Sequence, residues 1–200
     1  MVLTTRATIQ RLILITLLCG SAIAQTQQTP PKDDESKWKE FNSAEGGFTV
    51  SFPGSPKTTV TEVESDLGRP IKAHLFTLEF DDLGFFISFS DSGAPQTPTQ
   101  REATLDQMRD RTLAKRHRLL SENSITVDGI VGRELLIQRE IGLIMRGRYF
   151  FAKGRLYYVI ITAPPKVAFR NGEPSANPAD LAELFDTTSK RFFNSFKLTK

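Results

Sequence analysis

The hydrophobic positions of this chain alternate with polar ones over most of its length. Phe48, Val50 and Phe52 recur at every second residue, the period of a strand with one face on a core, and Pro53-Gly54 closes that run. Thr58 to Glu64 reads as a polar, edge-like strand, and Arg69 to Phe80 as a third with apolar residues on both faces. Asp81-Asp82-Leu83-Gly84 turns tightly into FFISFSD, where Phe85, Ile87 and Phe89 share a face. The pattern then changes period. Leu105, Met108 and Thr112 lie on one helical stripe, with Thr99 and Glu102 at the spacing of a capping box, which predicts a helix over about Gln100 to Arg116.

Alternation returns at Ser124 to Asp128, Val131 to Gln138, Ile141 to Phe151 and Leu156 to Thr162. Lys153-Gly154 is a two-residue hairpin signal between the last two, so Tyr149 and Phe151 face Tyr158 and Ile160, or their alternates face one another. A second helix is expected with Asn177 as cap, Pro178 in the first turn, and Leu181, Leu184, Phe185, Thr188 and Phe192 as its apolar stripe. Phe196 and Leu198 tie down the carboxyl end. The connections between consecutive strands are too short for helical crossovers. The expected fold is therefore α+β: a mainly antiparallel sheet of about six to eight strands flanked by two main helices.

Ahead of this pattern lie Arg6 and Arg11, an apolar run from Leu12 to Leu18, and Ala22-Ile23-Ala24. That is the layout of a secretory signal peptide over residues 1–24, cleaved near Ala24 for export to the periplasm or the extracellular space. The run is shorter than the roughly 20 residues a bilayer span requires, and no transmembrane segment is expected in the mature chain. Cys19 follows Leu18 where a lipoprotein site takes a small residue, which argues against lipid anchoring. Residues 25–37, QTQQTPPKDDESK, read as a flexible leader, and residues 38–200 as one α/β domain whose entry is docked by Trp38 and Phe41.

Composition narrows the chemistry. Cys19 is the only cysteine, so cleavage leaves a domain without disulfides, thiolate ligands or a cysteine nucleophile. The net charge of +3 includes Arg6 and Arg11; without them the chain is near neutral, and no nucleic-acid footprint remains. The aromatic and basic mixture of Tyr149, Phe150, Phe151, Tyr157 and Tyr158 with Arg146, Arg148 and Arg155 lacks the runs of an RNA-binding sheet. Any of those aromatics on a face that no helix covers would offer a protein or small-ligand surface. The basic cluster RTLAKRHR is expected to be a solvated helix face.

In SAEGGFTVSFPGSPK the glycines flank a strand instead of leading from a strand into a helix, so they mark strand ends and do not form a dinucleotide or phosphate loop. His74 and His117 are the only histidines and stand in no metal-ligand spacing. Asp66, Glu79, Asp81 and Asp82 offer oxygen ligands without a calcium-loop pattern and read as solvated turn acids. No serine lies in a nucleophile-elbow setting. No catalytic, cofactor-binding or metal-binding residue is assigned, and no cofactor is expected.

Taken together, GGFTVSFPGSPK, GIVGRELLI, GRLYYVIITAP and RFFNSFKL resemble exported bacterial proteins with the fold of the photosystem II extrinsic protein P (PsbP) and the Ran-binding Mog family. The resemblance spans roughly Trp38 to Leu198. It implies an antiparallel sheet between helices, an α/β/α sandwich, and a non-catalytic domain that docks onto a protein partner or a membrane-associated complex in the cell envelope. It supplies no site residue. The alternatives are a hydrolase whose site lies between the sheet and the 164–178 loop near His74 or His117, and a purely structural envelope protein.

Overall fold

The computed structural model describes residues 37–64, 70–91, 93, 97–114, 117–139, 142–164, 169–170, 173–174 and 178–199. The expected signal peptide and most of the leader, as well as Arg69, Asp66 and Asn177, lie outside them. Five strands precede the first helix: β1 (Lys39–Ser43), β2 (Phe48–Phe52), β3 (Lys57–Glu64), β4 (Pro70–Phe80) and β5 (Leu83–Ser90). Helix α1 (Pro98–Leu113) leads to β6 (Arg118–Val127), β7 (Ile130–Gln138), β8 (Ile144–Ala152) and β9 (Arg155–Ala163). The short pair β10 (Phe169–Arg170) and β11 (Glu173–Pro174), helix α2 (Pro178–Ser195) and β12 (Lys197–Leu198) complete the order.

The large sheet runs β3-β4-β5-β9-β8-β7-β6, and a small one runs β1-β2-β12. Every described pair is antiparallel, as the short connections require. Three hairpins turn through two residues: Asp81-Asp82, Asp128-Gly129 and Lys153-Gly154, all with positive φ. Such turns match the right-handed twist of the strands they join. Asp81 and Asp82 are thus consumed by a turn.

One face of the large sheet carries the small sheet and α2. Phe48, Val50, Phe52, Ile87, Phe150, Tyr157, Ile161 and Phe192 have no exposed surface there. Several of the rings meet edge-on: Phe48 with Phe76 at 5.4 Å and 84°, Phe85 with Phe192 at 5.1 Å and 80°. Edge-to-face pairs add about 0.5–1.5 kcal/mol beyond area burial. Trp38 packs on Phe85, and Phe41 on Phe48, Phe52 and Phe76, so both anchor the entering chain as expected.

The other face carries α1, whose Leu105 and Met108 press on Leu135, Ile137, Tyr149, Phe151 and Leu156. On α2, Phe185, Thr188 and Phe192 are buried as the stripe predicts, while the side chains of Leu181 and Leu184 lie outside those described.

Two local expectations shift, and one strand, β1, adds to those the pattern predicts. The capping box is Thr97 with Gln100, two residues earlier than Thr99 with Glu102, because Pro98 takes the first turn, where its missing N–H costs nothing. Strand β6 begins at Arg118 and not at Ser124; a register shift between Leu119 and Ser121 blurs its alternation. KEFNS, β1, carries too few apolar residues to show a period.

Candidate functional site

The turn Ala44–Gly47 between β1 and β2 contains the glycines of the SAEGG stretch. Ser43 Oγ accepts from the Gly46 N–H at 2.9 Å, and the Tyr157 hydroxyl donates to the Gly46 carbonyl at 2.8 Å. The Arg155 guanidinium donates to the Glu45 carbonyl, and the Thr199 N–H to the Gly47 carbonyl. A Cβ on Gly46 would stand 2.5 Å from the Phe48 ring. The glycines therefore let a turn press against the sheet end. They cradle no phosphate, since the groups they present are carbonyls already accepting from the protein.

Beside this turn, His74 stacks flat on Phe89 at 4.4 Å and 5°, and its Nδ1 lies 3.4 Å from Glu45 Oε2. Arg155 sits 5.0 Å from the same Phe89 ring and donates to Asp91 at 2.8 Å. Burial pushes the Tyr157 phenol above its ordinary range against the lowering effect of Arg155. These groups hold the β1–β2 turn onto β4, β5 and β9. His117 stands before β6 at the opposite edge of the sheet, so the two histidines are not brought together. Among the described residues no group of three or more His, Cys, Asp or Glu is placed to hold a metal ion.

Charge is concentrated where the helices meet the sheet. Arg133 of β7 donates to Glu102 at 2.7 Å, to Glu122 at 2.8 Å and to Asp106. Arg109 joins Asp106, Asp110 and Glu122. Burial alone would lower the pKa of Arg133, and the Asp106 and Glu102 hydrogen bonds more than reverse it. Under α2, Arg146 pairs with Asp186 at 3.0 Å and Arg148 with Glu134 at 2.8 Å, their guanidinium groups lying against the rings of Phe185 and Phe193. The basic residues singled out in the sequence, Arg146, Arg148 and Arg155, thus fasten layers together.

Two carboxyls in these networks titrate below their ordinary range: Asp106 through its hydrogen bond from Arg133, and Asp186 through hydrogen bonds from Lys190 and then Arg146. A carboxyl depressed by folding stabilises the native state above the unfolded-state pKa, and that contribution fades as pH falls through the lower folded value. The melting temperature should therefore drop on acidification below about pH 4. Asp106→Asn should remove part of that dependence while lowering the melting temperature at neutral pH. A melting temperature flat from neutrality to pH 3, on the order of the carboxyl range, would contradict these assignments.

The remaining feature is the α1-side face of the large sheet beyond the helix. Phe86 of β5 stands between Thr77 of β4 and Ile160 of β9, and Ser88 stands between Leu75 and Tyr158. Leu75, Thr77, Phe86, Tyr158, Ile160 and Thr162 are half-buried, whereas Phe76, Phe85, Ile87, Val159 and Ile161 on the opposite face of the same strands are buried. Among the aromatics expected on an uncovered face, Tyr149, Phe150, Phe151 and Tyr157 are buried, and Tyr158 alone is half-buried. Burial pushes the Tyr158 phenol up to about 12. Phe86 and Leu75 were not singled out in the sequence. The clue available was FFISF, whose adjacent phenylalanines must lie on opposite faces.

No protein-family model and no curated protein sequence matches the chain. Among the described residues no helix is long and apolar enough to cross a membrane. Solved structures do match. The solution structure of cyanobacterial PsbP (CyanoP) from Synechocystis sp. PCC 6803 aligns with a TM-score of 0.51 at 13% identity, covering 86% of this chain and 98% of that one. The Saccharomyces cerevisiae Ran-binding protein Mog1p aligns at 0.45 and 10% identity, covering 82% of this chain and 96% of that one. An antiparallel sheet with a helix on each face, in this order and over this length, is thus the PsbP-like fold that the sequence motifs resemble.

Proposed function

We propose that this chain is an exported, non-catalytic accessory domain that docks a protein partner of the cell envelope through the α1-side face of β4, β5 and β9. The observation that carries the reading is the contrast between the two sheet faces. On β4, β5 and β9 one face buries Phe76, Phe85, Ile87, Val159 and Ile161, while the other leaves Leu75, Phe86, Tyr158 and Ile160 half-open beside threonines. Apolar and aromatic side chains interleaved with hydroxyls are the composition of a protein-docking patch. The ion pairs of Arg133 and Arg146 fasten α1 and α2 to the sheet, while Lys57 of β3 and Glu79 of β4 border the patch on the same face. Export is supported by the residue pattern of positions 1–24.

A photo-cross-linking side chain at Phe86 tests the docking, with one at exposed Asn194 of α2 as control. In the cell that makes the protein, position 86 should yield one discrete adduct that position 194 does not, and Leu75→Glu should abolish it. Equal adducts at both positions, or none at 86, would remove the reading. Export is tested on the chain recovered outside the cytoplasm. Its amino terminus should be Gln25, and recovery only of cytoplasmic chains retaining Met1 would overturn that part.

A further inference from the structure

Helices α1 and α2 grip the large sheet by different means. Helix α2 sinks Phe185, Phe192 and Phe193 into the core. Helix α1 has sixteen residues, of which Leu105 and Met108 are the buried ones. Charge completes its hold. On β7, Arg133 binds Glu102 at 2.7 Å and Asp106, two helix carboxylates one turn apart, and also Glu122 of β6 at 2.8 Å. In the other direction Arg109 of the helix reaches Glu122 at 3.3 Å. Glu102 and Asp106 are about half exposed, at 51% and 46%, so water competes for both of these bonds.

What α1 hides is continuous with the half-open patch. The register places Tyr149 beside Tyr158, with rings 5.3 Å apart, and Leu135 beside Gly147, which in turn neighbours Ile160. Tyr158 and Ile160 themselves pack against the cluster that Leu105 and Met108 seal. With the helix away, Leu135, Tyr149, Phe151 and Leu156 would join Leu75, Phe86, Tyr158 and Ile160 in one apolar face. At its border Arg133, opposite Tyr149, would lose two of the three carboxylates it holds.

We propose that α1 is a displaceable cover, an internal stand-in for a helix of the partner. The occupant that replaces it is an amphipathic helix with two apolar residues three positions apart, as Leu105 and Met108 are, and two carboxylates four apart facing Arg133, as Glu102 and Asp106 are. Charge complementarity requires the carboxylates. An apolar helix without them would leave Arg133 Nη2, which donates to Glu102, covered and without an acceptor. The identity of the occupant rests on the docking reading above; the release of α1 does not.

Release is tested on the full chain carrying Cys19→Ser, so that an introduced thiol is the only one. Leu135→Cys, under α1, and Val159→Cys, buried on the opposite face, are exposed to a thiol reagent without denaturant. Local release should label position 135 at least about tenfold faster than 159, with a rate that barely changes in low urea. Equal rates that climb together with urea would mean that α1 leaves only when the domain unfolds, and overturn the proposal. The occupant is tested with a synthetic peptide of residues 97–114, offered to the full chain carrying Leu105→Ser and Met108→Ser, which loosen the built-in helix. That chain should bind the peptide at least about tenfold tighter than the parent does, and a peptide with Glu102→Lys and Asp106→Lys should bind at least about tenfold more weakly. Met108→Ser alone serves if the double variant does not fold. No binding by the loosened chain overturns the occupant, and so does equal binding of the two peptides. Neither measurement uses the cellular partner, so a missing adduct at Phe86 removes the docking reading alone.

Discussion

Phe192→Ala should lower the unfolding free energy by about 3–5 kcal/mol, the range for removing a fully buried phenylalanine. The ring has 0% exposure and sits where three layers meet. Its centroid lies 5.3 Å from Phe52 of β2, 5.1 Å from Phe85 of β5 and 5.9 Å from Phe193 of α2 itself. Its deletion leaves a void that no single element can close, because moving α2 inward separates it from β2 while moving β2 separates it from β5. Natural domains hold only about 5–15 kcal/mol in total, so the loss consumes a large share. Urea unfolding measures it as a shift in midpoint with an unchanged slope. Asn194→Ala, two positions on and exposed, should stay within about 0.5 kcal/mol. A loss of about 1 kcal/mol or less at Phe192 would mean that α2 is not wedged between the sheets.

The features legible in the sequence are those that local chemistry decides alone. FTVSF must bury one face whichever sheet it joins, and Lys153-Gly154 turns because Gly154 accepts the positive φ that a two-residue hairpin requires. The layers follow from connection length. Choices between two locally valid options were not legible. Thr97-x-x-Gln100 and Thr99-x-x-Glu102 both satisfy the capping pattern, and the proline between them settles the frame. RLLSENSITV hides its first half because a register shift breaks the alternation. The charged networks join residues far apart, Arg133 to Glu102 across 31 positions and Arg146 to Asp186 across 40, so no window of sequence contains them. The candidate docking face is legible only once the reach of α1 is known. Leu105 and Met108 cover Tyr149 and Phe151, and the helix leaves Phe86 and Leu75 half-open.

Gly132→Ala should cost at least about 1–3 kcal/mol, the usual range for overpacking, although it adds a single methyl group and lies in a stretch where alanine has no conformational penalty. In GIVGRELLI the two glycines, Gly129 and Gly132, look equivalent. The structure separates them. Gly129 sits in the β6–β7 turn with φ +80° and open space around it, so a side chain there meets only backbone strain. Gly132 pairs with Ile125 on one side and Phe150 on the other. A Cβ there would stand 2.5 Å from the Tyr149 carbonyl oxygen and 2.7 Å from the Phe150 Cβ. Relief requires moving β8 away from β7, and β8 is held on its far side by β9 and beneath by Phe150 in the core. Asparagine distinguishes the causes, since it tolerates the left-handed region but is larger than alanine. Gly129→Asn should be nearly neutral in thermal melting, and Gly132→Asn should be worse than Gly132→Ala. The reverse order would show that β7 and β8 approach less closely than this contact requires.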